Sequence, residues 1–469
     1  MDADAENDQQ TLQHDHYVER LAHVNQQNDV LATEDIVNAR GTLIARKGTR
    51  IDAATARRVA LHRLSKPLEL QVEISDTLHG KNILQTLDGL VAEHGDLQAV
   101  DARLKFRTDF AELLSRQTLN AVLRQKLMVM ALRHPALFKQ TLLGAWLAAL
   151  IARELGLPEA TLHRAAMAAL ARDLGLLHLP ADLLEKQGVY SPPEWRAMQS
   201  HVVISQMIIR EVAGMHPDIA LAVLEHHERL DGTGYPAGKE GAELGLLGQI
   251  LSMADALCAI RFKRFSASGH NLGDMEAFLL MNSACYHRAV VDAVYAILRK
   301  SDLTRTAINP CGDQSGLLEH LVRRAKLMQQ ALPSLSRLAL MQALESAAQG
   351  KELIKRILQT HNIVTRSGII NPEIIQWLEE MAHNPQPGEI PFLCEMELLQ
   401  NELIWHLNRV RHLLEAFSYE GAELAAPLRR ELSGLLDILG NLHIYPAQDT
   451  LRRADPVSAP EAAPPVMLQ

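Results

Sequence analysis

Two adjacent histidines, His226 and His227, stand beside Glu228, and Arg229-Leu230-Asp231-Gly232-Thr233-Gly234-Tyr235-Pro236 follows directly. A neutral imidazole keeps a lone pair on one ring nitrogen, so paired histidines next to carboxylates are metal-ligand chemistry. The pair ends a stretch of helical character over 218–228. Gly232 and Gly234 permit backbone angles and close approaches that a side chain would forbid. A His-His pair alone reads better as a solvated helix end. The Asp-Gly-x-Gly-Tyr-Pro turn at this spacing favours a built site.

The elements that must position this string are helices. Hydrophobic residues make up 47% of the 469 residues and aromatics only 4%, with Leu and Ala abundant. That balance favours helix-on-helix packing, and the length allows two to four domains. Residues 1–28 are polar and read as a tail or loose helix. Residues 29–76 read as a small α+β module: strands over 30–37 and 42–51 joined by Asn38-Ala39-Arg40-Gly41, a helix over 53–64, and a third strand over 68–74. A helical connector spans 77–136, with apolar residues at helical spacing over 82–91 and 111–133. A compact helical block over 137–300 holds the metal-type motifs. A breaker-rich linker covers 301–316, including Pro310-Cys311-Gly312-Asp313. A second helical region spans 317–444, with a loop at 384–388, a long amphipathic helix over 396–417 and no chemical motif. The Pro/Ala-rich stretch 445–469 reads as a disordered tail.

Net charge is −9, which gives no electrostatic support for nucleic-acid binding. The four cysteines, Cys258, Cys285, Cys311 and Cys394, form no CxxC pair. This fits a reducing compartment and argues against a thiolate zinc site. No basic-then-apolar leader opens the chain, and the longest apolar run, 142–152, is too short to cross a bilayer. The expectation is a soluble, cytoplasmic protein without a membrane span.

The 226–236 string resembles the signature of the HD-GYP family, bacterial metal-dependent phosphodiesterases that linearise cyclic di-GMP. The resemblance extends over 137–300. Ala171-Arg172-Asp173-Leu174-Gly175-Leu176-Leu177-His178-Leu179-Pro180 stands where the family has its His-Asp-x-Gly-Lys motif. Leu184-Glu185-Lys186-Gln187-Gly188 follows, then Pro193-Glu194, then Met198-Gln199-Ser200-His201 at the next ligand helix. Ser252-Met253-Ala254-Asp255-Ala256-Leu257 matches the final ligand segment. The 29–76 module is similar to one often found in front of such domains. The resemblance implies a mainly all-α fold, with histidines and aspartates of neighbouring helices converging on two metals about 3.5–4 Å apart. It implies Asp173, His201, His226, His227 and Asp255 as metal ligands, with Asp173 the bridging carboxylate of catalysis. Asp231, Gly232, Gly234, Tyr235 and Pro236 become the substrate-binding turn.

The departures from the family pattern are specific. Arg172 replaces the histidine of the His-Asp pair, and a guanidinium has no lone pair to give. Gln140 stands at the family's first histidine, Leu176 replaces the lysine after the glycine, and Ala136 stands where some members carry a further glutamate. His134 is six residues before Gln140 and substitutes only if the register shifts. One metal retains Asp173, His201, His226 and His227; the other would have only Asp173 and Asp255. The expected cofactor is one divalent ion rather than two, and the ligand types suit Fe, Mn or Zn. Arg172 is expected to occupy the vacated position and neutralise both aspartates. The favoured reading is an impaired HD-GYP protein acting as a regulator that binds cyclic di-GMP or a related nucleotide, or a protein partner through its C-terminal helices. The alternatives are an active cyclic di-GMP phosphodiesterase and a mononuclear metalloenzyme. A homodimer is compatible with the long C-terminal region.

Overall fold

The structure, a computed structural model, describes residues 16–26, 28–75, 80–115, 119–186, 190–265, 270–303, 314–346, 350–383, 390–420 and 424–442. Helix α1 (His16–Val24) lies where composition pointed to a tail or loose helix. Its Tyr17, Val18, Leu21, Ala22 and Val24 are buried in the main core, so the polar composition hid an apolar face. Arg20 fastens it by donating to the Leu177 carbonyl at 2.5 Å and to His134 Nε2 at 3.2 Å.

The small N-terminal module is present, with a changed strand plan. The expected strand 30–37 is broken into β1 (Val30–Ala32) and β2 (Ile36–Val37). β2 pairs with β3 (Leu43–Ala45) across a turn closed by Gly41 at φ +78°. The Asp35 carboxylate accepts the Lys47 amide at 2.8 Å, which holds the chain in a bend between β1 and β2. Helix α2 (Ala53–Ala60) starts at Asp52, whose carboxylate accepts the Thr55 amide at 2.8 Å. Leu68–Leu70 is a 3₁₀ turn instead of a strand, and only β4 (Val72–Ile74) pairs, antiparallel to β1 with Val30 opposite Ile74. The result is two separate two-stranded sheets.

Helices α3 (Gly80–Glu93), α4 (Gly95–Leu104), α5 (Phe106–Ser115) and α6 (Ala121–Arg133) follow. The expected 111–133 helix is thus divided between α5 and α6, because Asn120 caps α6 through a 2.9 Å bond from the Val122 amide. Helix α7 (Pro135–Glu154) begins at a proline suited to a first turn. By length and composition this helix is apolar enough to cross a bilayer, longer than the apolar run suggested, yet 72% of its most apolar window is buried inside the protein. It is the central core helix, and α8 (Glu159–Ala171) packs along it. Then come the 3₁₀ turn Leu174–His178, α9 (Ala181–Glu185), α10 (Pro192–Gln199), α11 (His201–Glu211), α12 (Pro217–Glu225), α13 (Leu246–Ala259), the π turn Ile260–Phe265, α14 (Glu276–Asn282) and α15 (Arg288–Lys300). Ser191 and Glu194 cap α10 reciprocally, which places Pro193 and Glu194 inside that helix.

Beyond this block lie α16 (Gln314–Ala339), α17 (Gln342–Glu345), α18 (Gly350–Arg366), α19 (Pro372–His383), α20 (Ile390–Glu420) and α21 (Ala426–Gly440). They have a hydrophobic core of their own, from Leu317 to Leu442, which Met281 of α14 joins. The 384–388 loop, the Pro310–Asp313 breakers, Gln187-Gly188 and the 445–469 tail lie outside the described residues.

Candidate metal centre

Four elements bring the expected ligands together. Asp173 follows the end of α8, His201 opens α11, Asp255 sits within α13, and His226 and His227 follow α12. Helix α12 ends at Glu225, short of the expected 228, because the Glu228 amide folds back onto the Glu225 carbonyl at 2.8 Å. Gly175 lets the turn after Asp173 lie on the start of α11. A Cβ there would stand 2.2 Å from the His201 carbonyl oxygen, and the Gly175 amide donates to Ser205 Oγ at 2.7 Å.

The local hydrogen bonds set the histidine tautomers. His201 Nδ1 is 2.7 Å from the Met198 carbonyl, and His226 Nδ1 is 2.6 Å from the Val223 carbonyl. A carbonyl only accepts, so each Nδ1 carries the proton and each Nε2 keeps its lone pair. The Nε2 atoms of His201, His226 and His227 are buried without a hydrogen-bond partner. Buried polar atoms are rarely left so. One nitrogen from each of the three rings lies within 4.8 Å of the others, an arrangement able to hold a metal ion. Asp173 Oδ1 faces the same point, 3.7 Å from His201 Nε2 and 4.0 Å from His226 Nε2. Burial lowers the pKa of all three histidines: His226, with His201 beside it, falls to about 4, and His227 lies well below the usual value. They are neutral at physiological pH, the state a ligand requires.

Arg172 fills the other side of the aspartates. Its side chain is buried, with Nε donating to Asp255 Oδ1 at 3.0 Å and lying 3.1 Å from Asp173 Oδ2. Nη1 donates to the Ala169 carbonyl at 3.1 Å. Burial alone would lower the arginine pKa, but the carboxylates of Asp173 and Asp255 more than offset it and raise it. Helix α7 yields to this guanidinium: a Cβ on Gly144 would come within 2.4 Å of Nη1. Gln140 lies one turn earlier on α7, half-buried. His134 is engaged elsewhere, as the Nε2 acceptor for Arg20. Leu176 is buried in a small core with Leu179, Leu183, Tyr190 and Met198, and offers nothing to a phosphate.

The Gly-Tyr-Pro turn closes over the histidines. Gly232 has φ +68°, and a Cβ on Gly234 would meet the Glu228 Cα at 2.3 Å, so both glycines are required by geometry. Asp231 accepts the Thr233 amide at 3.0 Å and its hydroxyl at 2.6 Å. The ring of Tyr235 stacks on His227 with centroids 4.7 Å apart, and Trp195 meets it edge-on at 5.8 Å. The Tyr235–Pro236 bond is cis, and Pro236 is exposed. Buried Glu228 anchors the far end by accepting the Ala237 and Lys239 amides at 2.6 and 3.1 Å.

A family model described as "HD domain" matches residues 125–288. Over 171 residues the chain is 32% identical to 3'3'-cGAMP-specific phosphodiesterase 3 of Vibrio cholerae, covering 36% of this chain and 35% of that protein. It is 33% identical over 123 residues to a cyclic di-GMP phosphodiesterase of Thermotoga maritima, covering 25% of this chain and 33% of the relative. A cyclic di-GMP phosphodiesterase of Pseudomonas aeruginosa is 32% identical over 127 residues, covering 26% and 30%. The chain carries an HD-GYP-type HD domain. The matched stretch spans about a third of the length of these relatives.

HD domains are metal-dependent phosphohydrolases, and the donor set of this HD-GYP domain could hold a metal ion: three neutral imidazoles with unpartnered Nε2 atoms and one carboxylate oxygen. Several partners of the site carried no sequence signal. Gly144 reads as an ordinary helix residue until the Arg172 side chain is placed above it. Lys263 of the π turn is drawn by Asp255 and Asp173, while burial lowers its pKa. Three residues of α18 reach the turn: Lys355 pairs with Glu240 at 2.5 Å, Arg356 donates to the Thr233 carbonyl, and Gln359 donates to the Asp231 carboxylate.

Proposed function

We propose that this chain is a catalytically impaired HD-GYP protein that holds one divalent ion and acts as a cyclic-dinucleotide-responsive regulator. The carrying observation is the division of Asp173: one oxygen faces the histidines and the other lies 3.1 Å from Arg172 Nε. In the two-metal arrangement that carboxylate bridges two ions; here it bridges an ion site and a guanidinium. His201, His226 and His227 would hold the ion through Nε2, and Asp173 through Oδ1. A divalent ion in such a site supplies Lewis-acid polarisation of a phosphoryl oxygen. Arg172 supplies charge balance for Asp173 and Asp255 but no lone pair and no exchangeable coordination position. Losing half of a two-ion centre should cost several kcal/mol of transition-state stabilisation, a loss of roughly a thousandfold in rate. Gly232, Gly234 and Tyr235 retain the turn that would meet a cyclic dinucleotide, and α18 rests on that turn, which gives a bound nucleotide a route to the C-terminal helices.

The test is turnover of cyclic di-GMP and 3'3'-cGAMP by anaerobically purified protein with Mn²⁺ or Fe²⁺, read by chromatography. Folded wild-type protein is expected to give no linear product above a His227→Ala control. The double variant Gln140→His with Arg172→His is expected to gain hydrolysis; Leu176 is left in place because it is buried. Linear product from the wild type, lost in His227→Ala, would instead establish the active phosphodiesterase.

A further inference from the structure

We propose that the cleft between the Gly-Tyr-Pro turn and helices α18 and α20 is a second ligand site, one that takes a phosphate group on Arg229, Arg356 and Arg409. The three arginines line one cleft with Thr233, Trp405 and His406. Arg229 donates to the Tyr286 hydroxyl at 2.8 Å, and its guanidinium lies over that ring. Arg356 pairs with Glu352 of its own helix at 3.1 Å and donates to the Thr233 carbonyl. Arg409 lies 5.6 Å from the Trp405 ring centroid, and among the described residues no carboxylate comes within 4.0 Å of it. His406, 6% exposed, holds its Nε2 3.6 Å from the Glu402 carboxylate, without a hydrogen bond.

The three guanidiniums face two carboxylates, Glu352 paired with Arg356 and Asp231 acting on Arg229 and Arg356, which leaves an excess of positive charge in a partly desolvated cleft. Burial and the like charges of Arg356 and Arg229 push the Arg409 pKa well below its usual range. A phosphate group answers this excess with up to two negative charges and with oxygens spaced for bidentate guanidinium contacts. The interior is too narrow for a phosphate group as it stands, so the long side chains of Arg356 and Arg409 must swing outward to admit it. Recruiting Arg356 would release the Thr233 carbonyl, in the turn whose Tyr235 stacks on His227. Occupancy of this cleft and the posture of the turn over the histidines are therefore linked.

Calorimetry and thermal unfolding of the full chain with inorganic phosphate and with guanosine diphosphate test the assignment. Wild type is expected to bind saturably and to gain thermal stability. Binding of both probes makes the site a phosphate site, and binding of the diphosphate alone makes it a nucleotide site with Trp405 at the base. Arg409→Met is expected to weaken binding at least tenfold while raising the melting temperature without ligand, because an unpaired charge is removed. A merely structural arginine would move that melting temperature the other way. Both probes are expected to bind as tightly after divalent ions are removed with a chelator, which keeps this result separate from the metal centre and from the proposed function. Absence of saturable binding by wild type, unchanged binding by Arg409→Met, or a melting temperature lowered by that substitution would overturn the proposal.

Discussion

Arg172 brings a permanent positive charge to a buried point between two carboxylates, and the surrounding residues accommodate it. Removing one member of a buried ion cluster leaves the others uncompensated, typically at about 3–5 kcal/mol. Arg172→Ala is therefore expected to lower unfolding free energy by about that amount in urea titrations, with Asp173 and Asp255 left facing each other. Gly144→Ala forces a methyl against Nη1 of a guanidinium that two carboxylates hold through Nε and the Ala169 carbonyl through Nη1, and should cost about 1–3 kcal/mol. A double-mutant cycle checks the link: in an Arg172→His background the Gly144→Ala cost is expected to shrink, and an unchanged cost would separate the two residues. The arginine's pairing was legible in the sequence, because Asp173 and Asp255 could be placed by motif. Gly144 was not, since a glycine inside an apolar helix does not reveal which side chain crosses it.

At the level of elements, the centre depends on close backbone approaches. The Leu174–His178 turn lies on the first residue of α11, so Gly175→Ala must displace backbone rather than a flexible side-chain tip. The expected outcome is a destabilised protein whose Mn²⁺ or Zn²⁺ affinity, measured by calorimetry, falls at least tenfold. Retained affinity would mean that His201 does not depend on that contact. The helices carrying ligands were readable from periodicity and motif, as were the roles of Gly232 and Gly234. The strands were less so: 30–37 has the composition of one strand, but the chain bends between Ala32 and Ile36 and serves two partners. Likewise 111–133 keeps helical spacing across Asn120, and the interruption is set by a cap that periodicity does not register.

Across the whole molecule, distant segments are tied to the domain by polar contacts that no local pattern announces. Helix α1 is held through Arg20, which donates to His134 Nε2. Burial, reinforced by Arg20 and Arg133, lowers the His134 pKa to about 4 from an ordinary 6.5. A histidine kept neutral in the fold but free to protonate when unfolded contributes stability that is complete above pH 6.5 and is lost as pH falls toward 4. Between those limits the expected slope is about 1 kcal/mol per pH unit. Urea unfolding at several pH values should show that slope flatten in His134→Gln; identical slopes would contradict it. The contact of α18 with the Gly-Tyr-Pro turn was equally hidden, because Lys355, Arg356 and Gln359 look like an ordinary solvated helix face. The central claim, that a guanidinium stands where a second ion would bind, is tested most directly by counting bound ions. Protein loaded with excess Mn²⁺ or Zn²⁺, freed of loose metal and measured by elemental analysis, is expected to hold one ion per chain, reduced toward zero in His227→Ala. Two tightly held ions per chain in the wild type would contradict it.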